Sequence, residues 1–292
     1  MLSILIPVFN YDCSDLISSL ANQALSEQIP FEILVYDDCS TQRQELKSSI
    51  FALKELKYKE MPANLGRSKI RNLLAQEACY DNLLFLDCDS MPADNDFIKR
   101  YINSINTADC ICGGTVYSPK TSIKKEQTLH WTYGTKREMR AKSKSESVFM
   151  ANNFLIRRDI FAKVSFDTAI VGYGHEDTLF GFMLSQNGYR LGQIDNPVIH
   201  LGLHDSQSFL ANTKNAAINL RLLYNNKEYQ QSLSSIALVK AFQRIHKLRL
   251  DSLLRSLCKP LIPLLTWQLR SSKPSMFVLD VYKLLWFCCK KQ

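Results

Sequence analysis

The chemistry open to this chain lies in a few carboxylates and histidines placed at the ends of apolar runs. Residues 83–90 read LLFLDCDS, four apolar side chains followed by Asp87 and Asp89 at i and i+2. Side chains alternate along an extended chain, so both carboxylates point to one side if the extension persists. Two hard oxygen donors there suit a Mg2+ or Mn2+ ion that also holds substrate phosphates. The alternative is a polar turn in which Asp89 caps a helix. Asp38 and Ser40 follow a second apolar run in the same manner. Asp38 can accept hydrogen bonds from a base or ribose, or it can cap the next helix. Glu176 and Asp177 lie beside a glycine-rich stretch, GYGHED. Acids in a first helical turn are ordinary, yet adjacent carboxylates at such a loop also suit a general base. His200 and His204 follow on a polar segment, close enough together to suggest metal binding.

The elements that would position these groups can be read from the apolar spacing. Residues 3–8 (SILIPV), 31–36 (FEILVY) and 83–86 are continuous apolar runs, the pattern of strands buried on both faces. Helical spacing separates them at 16–24, 42–56 and 68–78. Strand, helix, strand, helix, strand at this spacing predicts βαβ units and a mostly parallel sheet. The acids then sit at the carboxyl ends of the strands, where open α/β sheets bind ligands. The segment 64–72, NLGRSKIRN, is a loop opening a helix. Gly66 permits close backbone approach there. Arg67, Lys69 and Arg71 make its start basic, against the helix dipole, which an anionic partner would explain. The null alternative is a solvated basic face.

Further along, 97–105 reads as a helix capped by Asp94 or Asn95, and 110–116 as a strand containing Gly113 and Gly114. Residues 118–147 form a long polar, basic segment with few strand or helix signals. Residues 148–156 are a strand interrupted by Asn152 and Asn153, 178–187 a helix, and 189–194 and 197–201 short extended pieces.

Hydrophobic and charged contents of 46% and 22% are those of a globular protein and exclude a disordered one. The start of the chain carries no basic n-region, so no signal peptide is expected. Nine cysteines form no CxxC pair or disulfide framework, and we read them as reduced thiols. The net charge of +8 is uneven: residues 233–292 hold eleven Lys or Arg and two acids, a net +9, leaving the rest at −1. That tail is amphipathic, is broken at Pro260 and Pro263, and nowhere carries the roughly 20 apolar residues needed to span a bilayer. It fits an interfacial helix on anionic lipid, or an extension packing on the core or on a second subunit. No nucleic-acid recognition motif accompanies its charge.

Taken in order, IPVFN, YDDCS, NLGRSKIRN, DCDS and GYGHEDTLFG resemble the inverting GT-A glycosyltransferases of family 2, over about residues 3–204. The segment around Glu176 and the downstream histidine are most similar to the chondroitin-polymerase and galactosyltransferase-like branch. The resemblance implies an α/β fold: a Rossmann-like, mostly parallel central sheet flanked by helices. It also implies a GT-A domain at 1–210 and a helical extension at 211–292. It implies that Pro7, Phe9 and Asn10 line the nucleobase pocket, with Phe9 where many members have Tyr. Asp38 would accept the base N–H and favour uracil, and Asn64, Gly66, Arg67, Lys69 and Asp87 would border the nucleotide. Asp89 and His200 would ligate Mn2+ or Mg2+, with Asp87 and His204 as lesser candidates. Gly114, Asn153 and Gly174 would lie beside the donor or acceptor sugar. Asp177 would be the catalytic base and Glu176 would orient the acceptor.

The implied partners are a nucleotide-sugar donor and a saccharide or lipid-linked acceptor. The implied place is the cytoplasm, on the cytoplasmic face of a bacterial inner membrane. Two other readings compete. A sugar-phosphate nucleotidyltransferase would need a Gly-rich phosphate loop after the first strand, where FNYDCSD stands instead. A non-catalytic nucleotide- or glycan-binding protein of the same fold would not need Asp177.

Overall fold

The computed structural model describes residues 1–42, 46–139, 149–169, 174–234 and 236–289. Arg140, Lys142, Lys144, Val148, Gly172 and Tyr173 lie outside the described residues. The chain forms two compact units: Met1–Ser118 with Arg137–Ala169 and Glu176–Gly202, and Pro119–Lys136 with Ile170–His175 and Leu203–Gln292. The second unit therefore begins near 203 and also takes in part of the long basic segment.

The first unit is built on a seven-stranded sheet. Strands β1 (Leu2–Val8), β2 (Phe31–Asp37), β3 (Leu56–Glu60) and β4 (Asn82–Leu86) run parallel, in the order β3-β2-β1-β4. β1 and β2 are buried almost throughout, as their unbroken apolar runs require. Each fully buried Leu or Ile contributes about 1.5–3 kcal/mol. β3, LKYKE, is an edge strand that the apolar pattern does not reveal, and its lysines protect the edge. It replaces the end of the helix expected at 42–56, of which a 3-10 turn, Ser48–Ala52, is present. Helices α1 (Ser14–Ser26) and α2 (Arg67–Glu77) supply the crossovers from β1 and to β4.

Beyond β4 the sheet departs from parallel. Elements β5 (Ser90–Pro92), α3 (Phe97–Ser104), β6 (Cys110–Cys112) and β7 (Thr115–Tyr117) follow in the chain. The expected strand at 110–116 is split at Gly113-Gly114. A Cβ on Gly113 would lie 2.4 Å from the Asn196 carbonyl oxygen, and Gly114 has φ +89°. β6 stays in the large sheet, while β7 joins a second, three-stranded sheet.

In the second unit, Pro119–Lys136 contains helix α4 (Thr128–Tyr133), which the polar composition of the segment hides. Back in the first unit, β8 (Asn153–Arg157) pairs antiparallel with both β4 and β6, and β9 (Leu191–Gln193) closes the large sheet. The short helix α5 (Arg158–Phe161), α6 (Glu176–Gln186) and β10 (Val198–His200) complete this unit. β10 lies between β5 and β7 in the small sheet.

The second unit continues with α7 (Ser206–Asn225), α8 (Lys227–Leu233), α9 (Ala237–Lys247), α10 (Asp251–Leu269) and α11 (Met276–Cys288). Asp205 caps α7 by accepting from the Gln207 and Ser208 amides at 2.8 and 2.9 Å. Leu129, Phe209, Leu210, Leu269, Leu279 and Tyr282 form the core of this unit. The expected break at Pro260 and Pro263 does not occur. α10 runs through both, and both rings are on the solvent side. The reading of all cysteines as reduced is also corrected at one place: Cys258 and Cys289 form a disulfide, with Cα atoms 6.5 Å apart. No helix among the described residues is long and apolar enough to cross a membrane.

Candidate active site

The carboxyl ends of β1, β2 and β4 open onto loops that hold most of the expected site residues. Phe9 and Asn10 follow β1, and Phe9 is 47% exposed. Asn10 adopts φ 53°, its amide donates to Ser40 Oγ at 2.7 Å, and its Oδ1 accepts from the Gln42 amide. Pro7 is half-buried in β1 itself. The loops after β1 and β2 are thus locked together.

Asp38 is buried, and its two oxygens accept from the Leu65 and Gly66 amides at 2.6 and 2.9 Å. Asn64 donates to the Asp38 carbonyl. This carboxylate holds the loop that starts α2, while each of its oxygens keeps a further lone pair. Gly66 has φ +82° and open space where a Cβ would stand, so the backbone at the helix start is accessible. Arg67 and Lys69 are exposed in the first turn.

The two acids after β4 have different partners. The strand ends at Leu86 and the chain turns, the Ser90 amide donating to the Asp87 carbonyl. The alternation that would align Asp87 with Asp89 stops with the strand. Asp87 Oδ1 instead accepts from Arg71 Nη2 at 2.7 Å. Arg71 is only 3% exposed, and among the described residues its Nε and Nη1 have no hydrogen-bond partner. The sequence marked Arg71 only as part of a basic turn. Its burial follows from the apolar face it shares with Ile70, Leu74 and Ala75. Asp87 Oδ1 is thus held by a buried arginine, and its other oxygen is not part of that contact.

Asp89 faces His200, with Nδ1 and Oδ1 3.7 Å apart. β10 brings His200 level with Ser90 of β5 on one side and Tyr117 of β7 on the other. The Tyr117 ring meets the His200 ring edge-on at 5.6 Å, and its hydroxyl donates to Glu138. Gly202 backs the pair: a Cβ there would lie 2.0 Å from Asp89 Oδ2. Burial raises the Asp89 carboxyl above its ordinary range, helped by the Asp87 charge and opposed by His200 and Arg67. Tyr11, next to this carboxylate, is pushed up to about 12 by burial and by the Asp89 charge.

A carboxylate and an imidazole so placed are two of the ligands a divalent cation needs. Among the described residues no cluster of three or more metal-ligating side chains occurs. An ion held by this pair would need phosphate oxygens and water to complete its shell, as Mg2+ commonly does. His204 belongs to the second unit, where its amide donates to His130 Nδ1 at 2.9 Å and its ring stacks on His130.

Asp177 opens α6 and accepts from the Thr178 amide. Burial and the neighbouring Glu176 charge push its carboxyl up to about 6, against the pull of the Thr178 hydrogen bonds and Arg71. Glu176 is buried and lies 3.7 Å from Arg67 Nη1. Arg67 therefore acts on both Glu176 and Asp89. Asn153 is turned inward. Its amide donates to the Gly114 and Asn196 carbonyls and its Oδ1 accepts from Tyr101, so its polar atoms tie Gly114 in place. Gly174 lies in the second unit, where a Cβ would meet Ala216 at 2.8 Å.

A family model for glycosyl transferase family 2 matches residues 3–165. Asp177 and His200 fall beyond its end. No curated protein matches the chain. Among solved structures, the chain is similar to a mannosyltransferase, PcManGT from Pyrobaculum calidifontis, in complex with GDP-Man and Mn2+. The identity is 14% and the TM-score 0.55, covering 82% of this chain and 69% of that one. It is also similar to S. aureus TarS 1–349 in complex with UDP-GlcNAc, at 16% identity and a TM-score of 0.49, covering 97% and 90%. With more than half its length matched by the family model, the chain belongs to glycosyl transferase family 2.

Proposed function

We propose that this glycosyltransferase is metal-dependent and inverting, and that it moves a hexosyl or N-acetylhexosaminyl group from a UDP-sugar to a hydroxyl of a saccharide or lipid-linked acceptor. The setting would be cell-surface polysaccharide or glycoconjugate synthesis on the cytoplasmic face of a bacterial membrane. The observation that carries the reading is the separation of tasks among the acids. Asp89 is paired with His200 as a cation site, Asp87 is neutralised by Arg71, and Asp177 alone is left with a carboxyl near 6.

Asp89 and His200 would hold Mn2+ or Mg2+, which neutralises charge on a leaving diphosphate. Asp177, ionised at neutral pH yet still basic, would take the proton of the acceptor hydroxyl. One displacement with one base inverts the anomeric centre and needs no covalent nucleophile. Arg67, between Glu176 and Asp89, would hold Glu176 for acceptor binding while it faces the donor phosphates. Phe9 offers an exposed ring for the base, and the spare lone pairs of Asp38 suit a uracil N–H.

The test is a screen of UDP-, GDP- and dTDP-sugars for Mn2+-dependent thermal stabilisation and hydrolysis, with Asp89→Ala as control. Stabilisation by a UDP-sugar, absent in the variant, is expected. A response to GDP-sugars alone would overturn the donor, and no response to any would overturn the enzyme.

A further inference from the structure

Helix α10 presents an unusual face to water. Its exposed positions include Leu257, Pro260, Pro263, Leu264 and Trp267, an i, i+3, i+4 stripe that is apolar throughout. Leu264 is 60% exposed and Trp267 74%. The turn to α11 carries Arg270 and Lys273, both exposed, and the first turn of α11 adds Phe277 at 76%. No acidic residue occurs between Asp251 and Asp280. The core of the unit is already closed by Leu269, Leu279 and Tyr282 on the opposite sides of the same helices. The outward aromatics thus do nothing for its packing.

We propose that this helical hairpin end is a docking surface for an anionic lipid bilayer. Trp267, Phe277 and Leu264 enter the interface, and Arg270 and Lys273 meet lipid phosphates. Tryptophan and phenylalanine beside basic residues suit the boundary between headgroups and acyl chains, where one surface supplies both apolar depth and negative charge. A second copy of the chain fits less well: self-association through this face would set Arg270 and Lys273 against their own like charges. α10 is not long and apolar enough to cross, so the contact is peripheral. The inference stands on the second unit alone and does not depend on the donor or the metal.

The test uses the full chain with vesicles of phosphatidylglycerol and phosphatidylcholine, against phosphatidylcholine alone. Cosedimentation with the anionic vesicles is expected, with a blue shift of tryptophan emission that Trp267→Phe lacks. Trp267→Ser with Phe277→Ser should weaken binding about tenfold or more, as should Arg270→Glu with Lys273→Glu. Far-UV circular dichroism and thermal melting should be unchanged in both. Equal binding to neutral vesicles, undiminished binding by the aromatic variant, or no vesicle binding at all would overturn the proposal. So would a dimer in solution that Trp267→Ser with Phe277→Ser converts to monomer, which would make the face an interface between copies.

Discussion

The sheet unit and the helical unit handle their awkward residues in opposite ways. In the sheet unit, charge is drawn inward and matched: Arg71 with Asp87, Glu176 with Arg67, Asp89 with His200. In the helical unit, large apolar groups are turned outward, Trp267 and Phe277 foremost. Buried charge is tolerated only where partners are fixed, so the first arrangement signals chemistry at a defined point. Exposed apolar area signals contact over a surface. Substitutions should therefore have sharp, local effects in the first unit and almost none on stability in the second.

The largest effect is expected at Asp177. Asp177→Asn should lower transfer about a thousandfold, measured as kcat on any donor and acceptor the screen identifies. The same variant should be more stable than the parent above pH 6, by about 1–3 kcal/mol, because the folded carboxyl is raised and its ionisation opposes folding. That gain should shrink as pH falls below about 6 and vanish toward pH ~3, where the carboxyl is protonated in both states. A variant that loses activity with no gain in urea midpoint at pH 8 would remove the idea of a strained base.

Next comes Arg71→Met, which leaves Asp87 unpaired in a half-buried site. We expect a loss of about 3 kcal/mol in urea unfolding. A loss below ~1 kcal/mol would place this pair with ordinary surface bridges. In the parent, kcat should fall about tenfold per pH unit below about 6, as Asp177 takes a proton. A flat profile down to pH 5 would assign the base elsewhere. Gly202→Ala pushes a Cβ against the Asp89 carboxylate. It should raise the Mn2+ concentration needed for donor-dependent stabilisation about tenfold. At the other extreme, Phe277→Ser should move thermal stability by less than ~0.5 kcal/mol. A larger shift would show that the helical unit needs its exposed ring.

The alternating order of β1, α1, β2, α2 and β4 was legible because apolar runs of that length have few other uses. Residue type and order singled out Asp89, Asp177 and His200, and the structure sets Asp89 against His200. The separate partners of Asp87 and Asp89 were not legible, since they depend on where the strand stops and on a buried arginine one helix away. Nor was β3, whose LKYKE looks like any polar connector until it pairs at the edge of a sheet. Polar type alone also does not say that the Asn153 side chain is already hydrogen-bonded to Tyr101, Gly114 and Asn196. Asp38 likewise has its loop partners fixed by a turn whose geometry no spacing rule reveals.

The strand that carries His200 has an implication for how the molecule matures. β10 is held by neighbours that left the ribosome more than eighty residues earlier, Ser90–Pro92 and Thr115–Tyr117. A nascent chain can lay down the whole nucleotide end while Asp89 still has no imidazole facing it. On the proposed assignment, competence to hold a cation arrives late in synthesis, with the insertion of a three-residue ribbon.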